Sequence, residues 1–172
     1  SFLIDQMGKV VAKYDKIHMF DVDISETESY RESATYERGT KAVLAKTDFG
    51  VVGLSVCYDV RFPHLYRTLA QAGAEILTVP AAFAQTTGQA HWHALLRARA
   101  IENGAYILAP AQTGLHYTKD GKERRTYGHS LVVSPWGEVL VDAGVEPGVT
   151  CFDIDLGEVS KARSRVASLT QS

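Results

Sequence analysis

The sequence has few cysteines, no excess of basic residues and no long apolar run. Its 172 residues include two cysteines, Cys57 and Cys151, which cannot form the disulfide framework of a small secreted protein. Lys and Arg number 18 against 20 Asp and Glu, and the net charge of −2 argues against a protein that neutralises a phosphate backbone. Apolar runs such as residues 51–57 are far shorter than the roughly 20 residues of a membrane-spanning helix. We therefore expect no membrane span and no nucleic-acid partner, and the lack of a signal-peptide pattern predicts a cytoplasmic location.

What remains is the composition of an ordinary globular domain. Hydrophobic residues make up 45% of the chain and charged residues 22%, which is outside the range of disordered proteins. The length fits one domain, so we treat residues 1–172 as a single domain. The opening Ser1-Phe2-Leu3 lacks an initiator Met and already lies in a predicted strand. Because a domain seldom begins inside a strand, we expect the chain to be part of a longer protein; a processed N-terminus is the alternative.

Apolar periodicity predicts a mixed α/β fold in which helices cover the sheets. Residues 51–57 are almost continuously apolar, as expected for a strand buried on both faces. Pro63 is predicted to begin a helix and Gly104 to end one. Residues 17–39 have no sustained period and are interpreted as a long, ordered loop. Strands are predicted at 1–5, 9–14, 42–47, 51–57, 75–79, 105–109, 130–133, 138–141 and 149–154, and helices at 63–72, 89–103 and from about 156.

Cys57 is the strongest candidate for a catalytic residue. It ends a predicted buried strand just before a helix, so its side chain is expected at a sharp turn where backbone N–H groups face a reacting oxygen. The helix N-terminus and Arg61 are expected to favour the thiolate. The alternative for a lone cysteine is a buried, unreactive side chain, and this is the preferred interpretation of Cys151.

The histidines give no comparable signal. None of the six is tied to Cys57 by the sequence pattern, although a dyad with His64, seven residues away, stays open. His91 and His93 point to different faces of a predicted helix, and no cysteine or carboxylate completes a ligand set around them. We therefore expect no metal site.

Several charged side chains have an ordinary interpretation when taken alone. Lys16 leaves a predicted strand and enters the 17–39 loop, where a solvated surface charge is the default. The same default applies to Glu32. For Glu102, at the end of a helix that contains arginines, a structural ion pair is the simplest account.

Four ordered segments resemble the nitrilase superfamily of carbon–nitrogen hydrolases. They are YDKIHMFDVD at 14–23, GLSVCYDVRFP at 53–63, LLRARAIEN at 95–103, and YGHS at 127–130 followed by PWGE at 135–138. The resemblance covers essentially the whole chain and looks closest to the amidase branch that includes omega-amidase and deaminated glutathione amidase. It implies a nitrilase-type αββα sandwich, of which this chain holds the central and C-terminal part while the N-terminal part is absent.

The resemblance also implies a Glu-Lys-Cys catalytic set that needs neither metal nor cofactor. Cys57 matches the nucleophile, and Lys16 matches the lysine that stabilises the tetrahedral oxyanion. Glu32 matches a second glutamate that holds the lysine or the substrate, and Tyr58 would offer its backbone N–H to the oxyanion. The general-base glutamate of the family lies ahead of the lysine segment, and nothing before Lys16 matches it, so this chain alone is expected to be inactive.

The expected reaction is cysteine-dependent hydrolysis of a small carboxylate-bearing amide, with release of ammonia through a thioester intermediate. For Arg61 two interpretations stay open: it pairs with the substrate carboxylate, or it forms a structural ion pair with Asp59 or an acid of the loop. Phe83, at another strand end, either lines the pocket or packs in the core.

Three rival hypotheses remain. They are an N-carbamoyl amine hydrolase of the same family, a non-catalytic binding member of the fold, and an unrelated Cys–His hydrolase. The expected partners are a small-molecule amide and further copies of the chain, in a homodimer or higher homo-oligomer.

Overall fold

The computed structural model describes residues 1–24, 26, 29–117, 121 and 123–171. In these ranges the chain forms twelve strands, three α-helices and three short 3₁₀-helices. The strands are β1 (Phe2–Ile4), β2 (Val10–Lys13), β3 (Asp21–Asp23), β4 (Ser29–Arg31), β5 (Val43–Thr47), β6 (Gly50–Leu54), β7 (Ile76–Thr78), β8 (Tyr106–Ala109), β9 (Thr113–Tyr117), β10 (Glu123–Tyr127), β11 (Leu131–Val133) and β12 (Val139–Asp142). The helices are α1 (Pro63–Gln71), α2 (Gln85–Asn103) and α3 (Gly157–Arg165), and the 3₁₀-helices are Glu32–Ala34, Cys57–Arg61 and Ala167–Leu169.

Six strands form one mixed sheet in the order β12-β11-β8-β7-β6-β5. The central strands β6, β7 and β8 are parallel and are connected through α1 and α2, whereas β5, β11 and β12 pair antiparallel with their neighbours. Parallel strands joined in this way end at a common edge, and such an edge is a frequent location of ligand sites in α/β proteins. Cys57, Pro80 and Pro110 follow the ends of these three strands, so this edge positions the candidate nucleophile.

Each face of the sheet has its own apolar cluster, because successive residues of a strand point to opposite faces. Leu77 and Ile107 pack with the fully buried Trp92 and Leu96 of α2. Their strand neighbours point to the other face, where part of α3 also packs. This second cluster contains Tyr14, Val52, Leu54, Ile76, Tyr106 and Val159.

The structure confirms the mixed α/β prediction and most of its core elements. Pro63 begins α1, and Gly104 ends α2 in the left-handed conformation at φ 52°. However, α2 begins at Gln85, four residues earlier than predicted. Gly88, which would ordinarily weaken a helix, is buried within it, and a Cβ at this position would lie 2.4 Å from the Cβ of Tyr127. The glycine therefore permits close contact between α2 and β10.

Two predictions of secondary structure are wrong, and one hairpin is missing from the prediction. The 17–39 segment is not a plain loop, because β3 and β4 pair with each other and a 3₁₀-helix follows them. The predicted strand at 149–154 is absent although the whole segment is described, and Val149 is 95% exposed there, since no neighbouring strand pairs with it. The hairpin of β9 and β10 was not predicted, because Glu123–Tyr127 is rich in charge and poor in apolar residues.

No helix within the described ranges is both long enough and apolar enough to cross a membrane.

Candidate active site

Cys57 lies at a sharp turn beyond the end of β6. It does not end the strand, as predicted, but begins the 3₁₀-helix Cys57–Arg61 that precedes α1. Its φ of 49° lies in the left-handed region, which non-glycine residues rarely adopt, and its N–H donates to the carbonyl oxygen of Pro80 at 2.9 Å. A strained conformation of this kind persists only where the surroundings impose it and is common at active sites.

A buried carboxylate, Asp59, stabilises this turn. It is fully buried and accepts hydrogen bonds from the Val56 N–H and the Tyr14 hydroxyl, both at 2.8 Å. Its other oxygen accepts from the His18 N–H at 3.1 Å and lies 2.7 Å from His18 Nδ1. Asp59 thus connects Val56, the residue before Cys57, to Tyr14 and His18 on either side of Lys16. Sequence reasoning considered Asp59 only as a partner for Arg61.

Lys16 and Glu32 form an ion pair between Nζ and Oε2. The same carboxylate oxygen accepts the Phe20 N–H at 2.7 Å, so the glutamate is held by a backbone donor as well as by the ammonium. The lysine ammonium also lies 5.9 Å from the centre of the Tyr58 ring. The lysine side chain is 12% exposed, which contradicts its interpretation as a solvated surface charge.

Cys57, Lys16 and Glu32 line one cavity of about 890 Å³. The segments that follow β7 and β8, Pro80–Ala82 and Pro110–Gln112, contribute further to the lining, together with Tyr30, Arg124 and Ser130. The cavity therefore brings the nucleophile, the lysine and the second glutamate of the predicted set to a common surface.

Burial raises the pKa of the Cys57 thiol above its ordinary value. The Lys16 ammonium, the Ala82 backbone N–H and the Arg124 guanidinium lower the pKa but do not fully offset the burial. The expectation that Arg61 and a helix N-terminus favour the thiolate is therefore wrong, because desolvation dominates. Nucleophilic use of Cys57 requires a base that removes its proton.

Arg61 and Phe83 do not belong to the cavity lining. The Arg61 guanidinium lies over the Phe83 ring at 5.2 Å, and its terminal nitrogens lie 3.3 Å from Nδ1 of His91. Among the described ion pairs there is none between Arg61 and Asp59. Phe83 is 4% exposed and packs against the Trp92 ring at 4.9 Å, so the structure places it in the core.

Tyr58 follows Cys57 in the same 3₁₀-helix. Its ring packs against the rings of Phe20 and Phe62 at 5.0 and 5.3 Å. The first N–H groups of a helix have no acceptor within it, which suits the predicted use of the Tyr58 N–H as an oxyanion donor.

Arg124 is a cavity residue that sequence reasoning missed. It lies on β10 of the unpredicted hairpin, and its Nη2 donates to the Ala82 carbonyl oxygen at 2.6 Å. Its guanidinium carbon lies 5.3 Å from the centre of the Tyr30 ring. In the sequence, Arg124 is simply an arginine in a segment that could form a strand. The same is true of the adjacent, exposed Arg125, so the sequence does not distinguish the two.

All six histidines lie in the described ranges, and none lines the cavity or hydrogen-bonds to Cys57. This opposes a Cys–His hydrolase. A separate cluster joins α2 to β12: Asp142 contacts Nε2 of His93 at 3.0 Å and Nδ1 of His129 at 2.9 Å. The predicted ion pair of Glu102 is confirmed, with Arg99 at 2.8 Å.

The sequence profile of a family described as Carbon-nitrogen hydrolase matches residues 1–164. A curated relative, the deaminated glutathione amidase of Synechocystis sp., is 47% identical over 169 residues, which cover 97% of this chain and 61% of that protein. The chain thus spans about three-fifths of the length of this relative.

Two solved structures extend the comparison. The NitFhit protein of C. elegans has a TM-score of 0.84 at 40% identity, and the match covers 99% of this chain and 41% of that one. A mutant of the amidase from Nesterenkonia sp., which carries the acetamide moiety of fluoroacetamide on its active site cysteine, has a TM-score of 0.74 at 31% identity. That match covers 98% of this chain and 58% of the amidase.

Proposed function

Because the chain belongs to the carbon–nitrogen hydrolase family, we propose that its protein is a cysteine-dependent amidase that releases ammonia from a small, carboxylate-bearing amide. The observation that carries this proposal is the shared cavity lined by Cys57, Lys16 and Glu32. A thiol, an ammonium and a carboxylate that holds the ammonium are the groups needed to attack a carbonyl carbon and to stabilise the resulting oxyanion.

The proposed reaction has two halves. In the first, the Cys57 thiol gives its proton to a base, and its sulfur attacks the amide carbon. Lys16 and the Tyr58 N–H stabilise the oxyanion, and one donor of this kind lowers the barrier by about 3–4 kcal/mol. The C–N bond then breaks, the protonated base donates its proton to the departing ammonia, and a thioester remains. In the second half, water attacks the thioester, which releases the carboxylic acid and restores the thiol.

We assign the proton transfer to the glutamate that the family resemblance places ahead of the lysine segment. Glu32 is not suited to it, because its carboxylate is already bound by the Lys16 ammonium and the Phe20 N–H. Its proposed role is to hold the lysine ammonium at the oxyanion position.

The relatives support the choice of an amide substrate. The Synechocystis relative is named as a deaminated glutathione amidase, and the Nesterenkonia amidase forms a covalent adduct through its cysteine. The two cysteines of this chain are free thiols, which agrees with the proposed cytoplasmic location. A homodimer or higher homo-oligomer stays a prediction, and light scattering of the purified protein would measure it.

The direct test replaces Cys57 by alanine in the intact protein that contains this chain. Ammonia release from glutaramate, the monoamide of glutaric acid, is expected to fall to background, because Cys57 is the one thiol among the described residues that line the cavity. The matched control is Cys151→Ser, which changes an exposed thiol and is expected to leave the rate unchanged. Ammonia release by the Cys57→Ala variant at the rate of the control would contradict the proposal.

A further inference from the structure

Two histidines and an aspartate from three separate elements converge beside α2, outside the lining of the cavity that holds Cys57. His93 lies on α2, His129 lies two residues before β11, and Asp142 ends β12. Each of the three offers one ligand atom for a metal ion, and these atoms all lie within 4.8 Å of one another. Among the residues that the structure describes, this is the one grouping of its kind.

One carboxylate oxygen of this cluster lies near both imidazole nitrogens. The Oδ2 atom of Asp142 is 3.0 Å from Nε2 of His93 and 3.1 Å from Nδ1 of His129. In a tetrahedral zinc site with bonds of about 2.1 Å, neighbouring ligand atoms are about 3.4 Å apart. A shift of a few tenths of an ångström in each contact therefore brings these atoms to the spacing of metal ligands.

The surroundings of the cluster hold two of its side chains in position. Asp142 Oδ1 accepts the Gly144 N–H at 3.0 Å, and the His129 N–H donates to the Gly144 carbonyl oxygen at 2.7 Å. The His129 carbonyl oxygen accepts the Trp92 Nε1–H at 2.8 Å, and the Tyr127 ring stacks on the His129 ring with centroids 4.4 Å apart. Outer contacts that orient the ligands in this way are typical of metal sites.

The chemistry of the three side chains selects among metal ions. Two imidazoles and one carboxylate suit zinc and similar first-row ions, whereas calcium and magnesium prefer oxygen ligands. The side chains of His93, His129 and Asp142 are 35, 26 and 35% exposed. Solvent therefore reaches the cluster, which gives an ion a way in and leaves room for a water molecule as a fourth ligand.

We propose that His93, His129 and Asp142 bind a divalent transition-metal ion, for which Zn²⁺ is the best match, with water as the fourth ligand. The sequence expectation of no metal site rested on His91 and His93, which have no carboxylate near them in the sequence. The fold supplies one by bringing Asp142, 49 residues further along the chain, to His93. The ion ties α2 to the edge strand β12, and this inference does not depend on the proposed amidase function.

The test measures Zn²⁺ binding to the intact protein that contains this chain, by isothermal titration calorimetry. The Cys57→Ala/Cys151→Ser background removes the two thiols of the chain, which are zinc ligands themselves. Relative to this background, His93→Gln and Asp142→Asn are each expected to lose one equivalent of bound Zn²⁺. The affinity of that site should fall by at least about 100-fold, since even a lost outer partner costs about 10- to 100-fold. The control is His91→Gln, an exposed neighbour on the same helix, which is expected to bind as the background does.

Two further features keep the test decisive. Asp142→Asn retains the size of the side chain and the acceptor for the Gly144 N–H, so it answers the question even if His93→Gln fails to fold. X-ray absorption of the zinc-loaded background is expected to show nitrogen and oxygen ligands at about 2.0–2.2 Å.

Three results would overturn the proposal. They are a background that binds no Zn²⁺, an Asp142→Asn variant that binds as much as the background, and a loss in His91→Gln equal to that in His93→Gln. The three residues would then be only a hydrogen-bonded link between α2 and β12.

Discussion

Cys57 is positioned by the buried parallel centre of the six-stranded sheet, whereas Glu32 directly follows one small hairpin, β3–β4, and Arg124 lies on another, β9–β10. The sheet centre is enclosed by α1 and α2 and contains the fully buried Trp92 and Leu96. The hairpins β3–β4 and β9–β10 are each two-stranded, and Thr126 is the one buried residue of their described strands. Two-stranded hairpins have little stability of their own and depend on what they pack against. The comparison indicates that the sheet centre fixes Cys57, while the hairpins and the residue that follows β4 supply charged groups of the cavity lining.

The largest expected effect is a loss of stability at the centre of the sheet. Trp92→Ala removes a fully buried ring and should reduce the free energy of unfolding by about 3–5 kcal/mol. Chemical denaturation of the intact protein measures this loss. Gln89→Ala on the exposed side of the same helix should change stability by no more than about 0.5 kcal/mol. Equal losses in the two variants would show that α2 does not enclose the sheet centre.

A smaller effect is expected in the charged part of the site. Lys16→Met should lower kcat for amide hydrolysis by about 100- to 1000-fold, because the oxyanion loses a donor. The Glu32 carboxylate then loses its partner in a largely shielded ion pair, so stability should fall by about 1–3 kcal/mol. Steady-state kinetics and thermal unfolding provide the two measurements. Lys13→Met is the control, since Lys13 is exposed and pairs only with the exposed Asp15. A large loss of stability without a loss of kcat in Lys16→Met would show that Lys16 supports the fold and not the reaction.

The smallest expected effect is a change in the pKa of Cys57, which depends on both parts of the site. Because burial raises the pKa of Cys57 above its ordinary 9.0, the rate of its alkylation by iodoacetamide should still be rising at pH 9, where an ordinary thiol begins to level off. The Lys16 ammonium lowers this pKa, so Lys16→Met should shift the profile further towards high pH. Both profiles are measured in the Cys151→Ser background. A plateau well below pH 9 would mean that the ammonium outweighs the burial.

The core of the fold could be predicted from the sequence because its signals are local. The apolar run before Cys57, the proline that begins α1 and the glycine that ends α2 each act within a few residues of their position. The hairpins could not be predicted in this way. Glu123–Tyr127 becomes a strand because β9 lies beside it, whereas Val149, in a segment with a stronger strand pattern, has no such neighbour.

The residues of the candidate site also differ in how well they can be predicted from the sequence. Cys57 is recognisable from its place after a buried strand, but Lys16 and Glu32 carry ordinary surface signals and are linked to it only through resemblance to a family. Arg124 could not be found because its role depends on a hairpin packing beside the cavity. The pKa of Cys57 was predicted in the wrong direction, since sequence shows nearby charges but not desolvation.

The hydrogen bonds of Asp59 have a consequence for how such a site can change. One carboxylate holds Tyr14 and His18 on either side of Lys16, and it also holds Val56 directly before the nucleophile. The spacing of lysine and cysteine is thereby set independently of the hairpins that supply Arg124. A change in the β9–β10 hairpin would alter the Arg124 side of the cavity and leave the spacing between Lys16 and Cys57 intact.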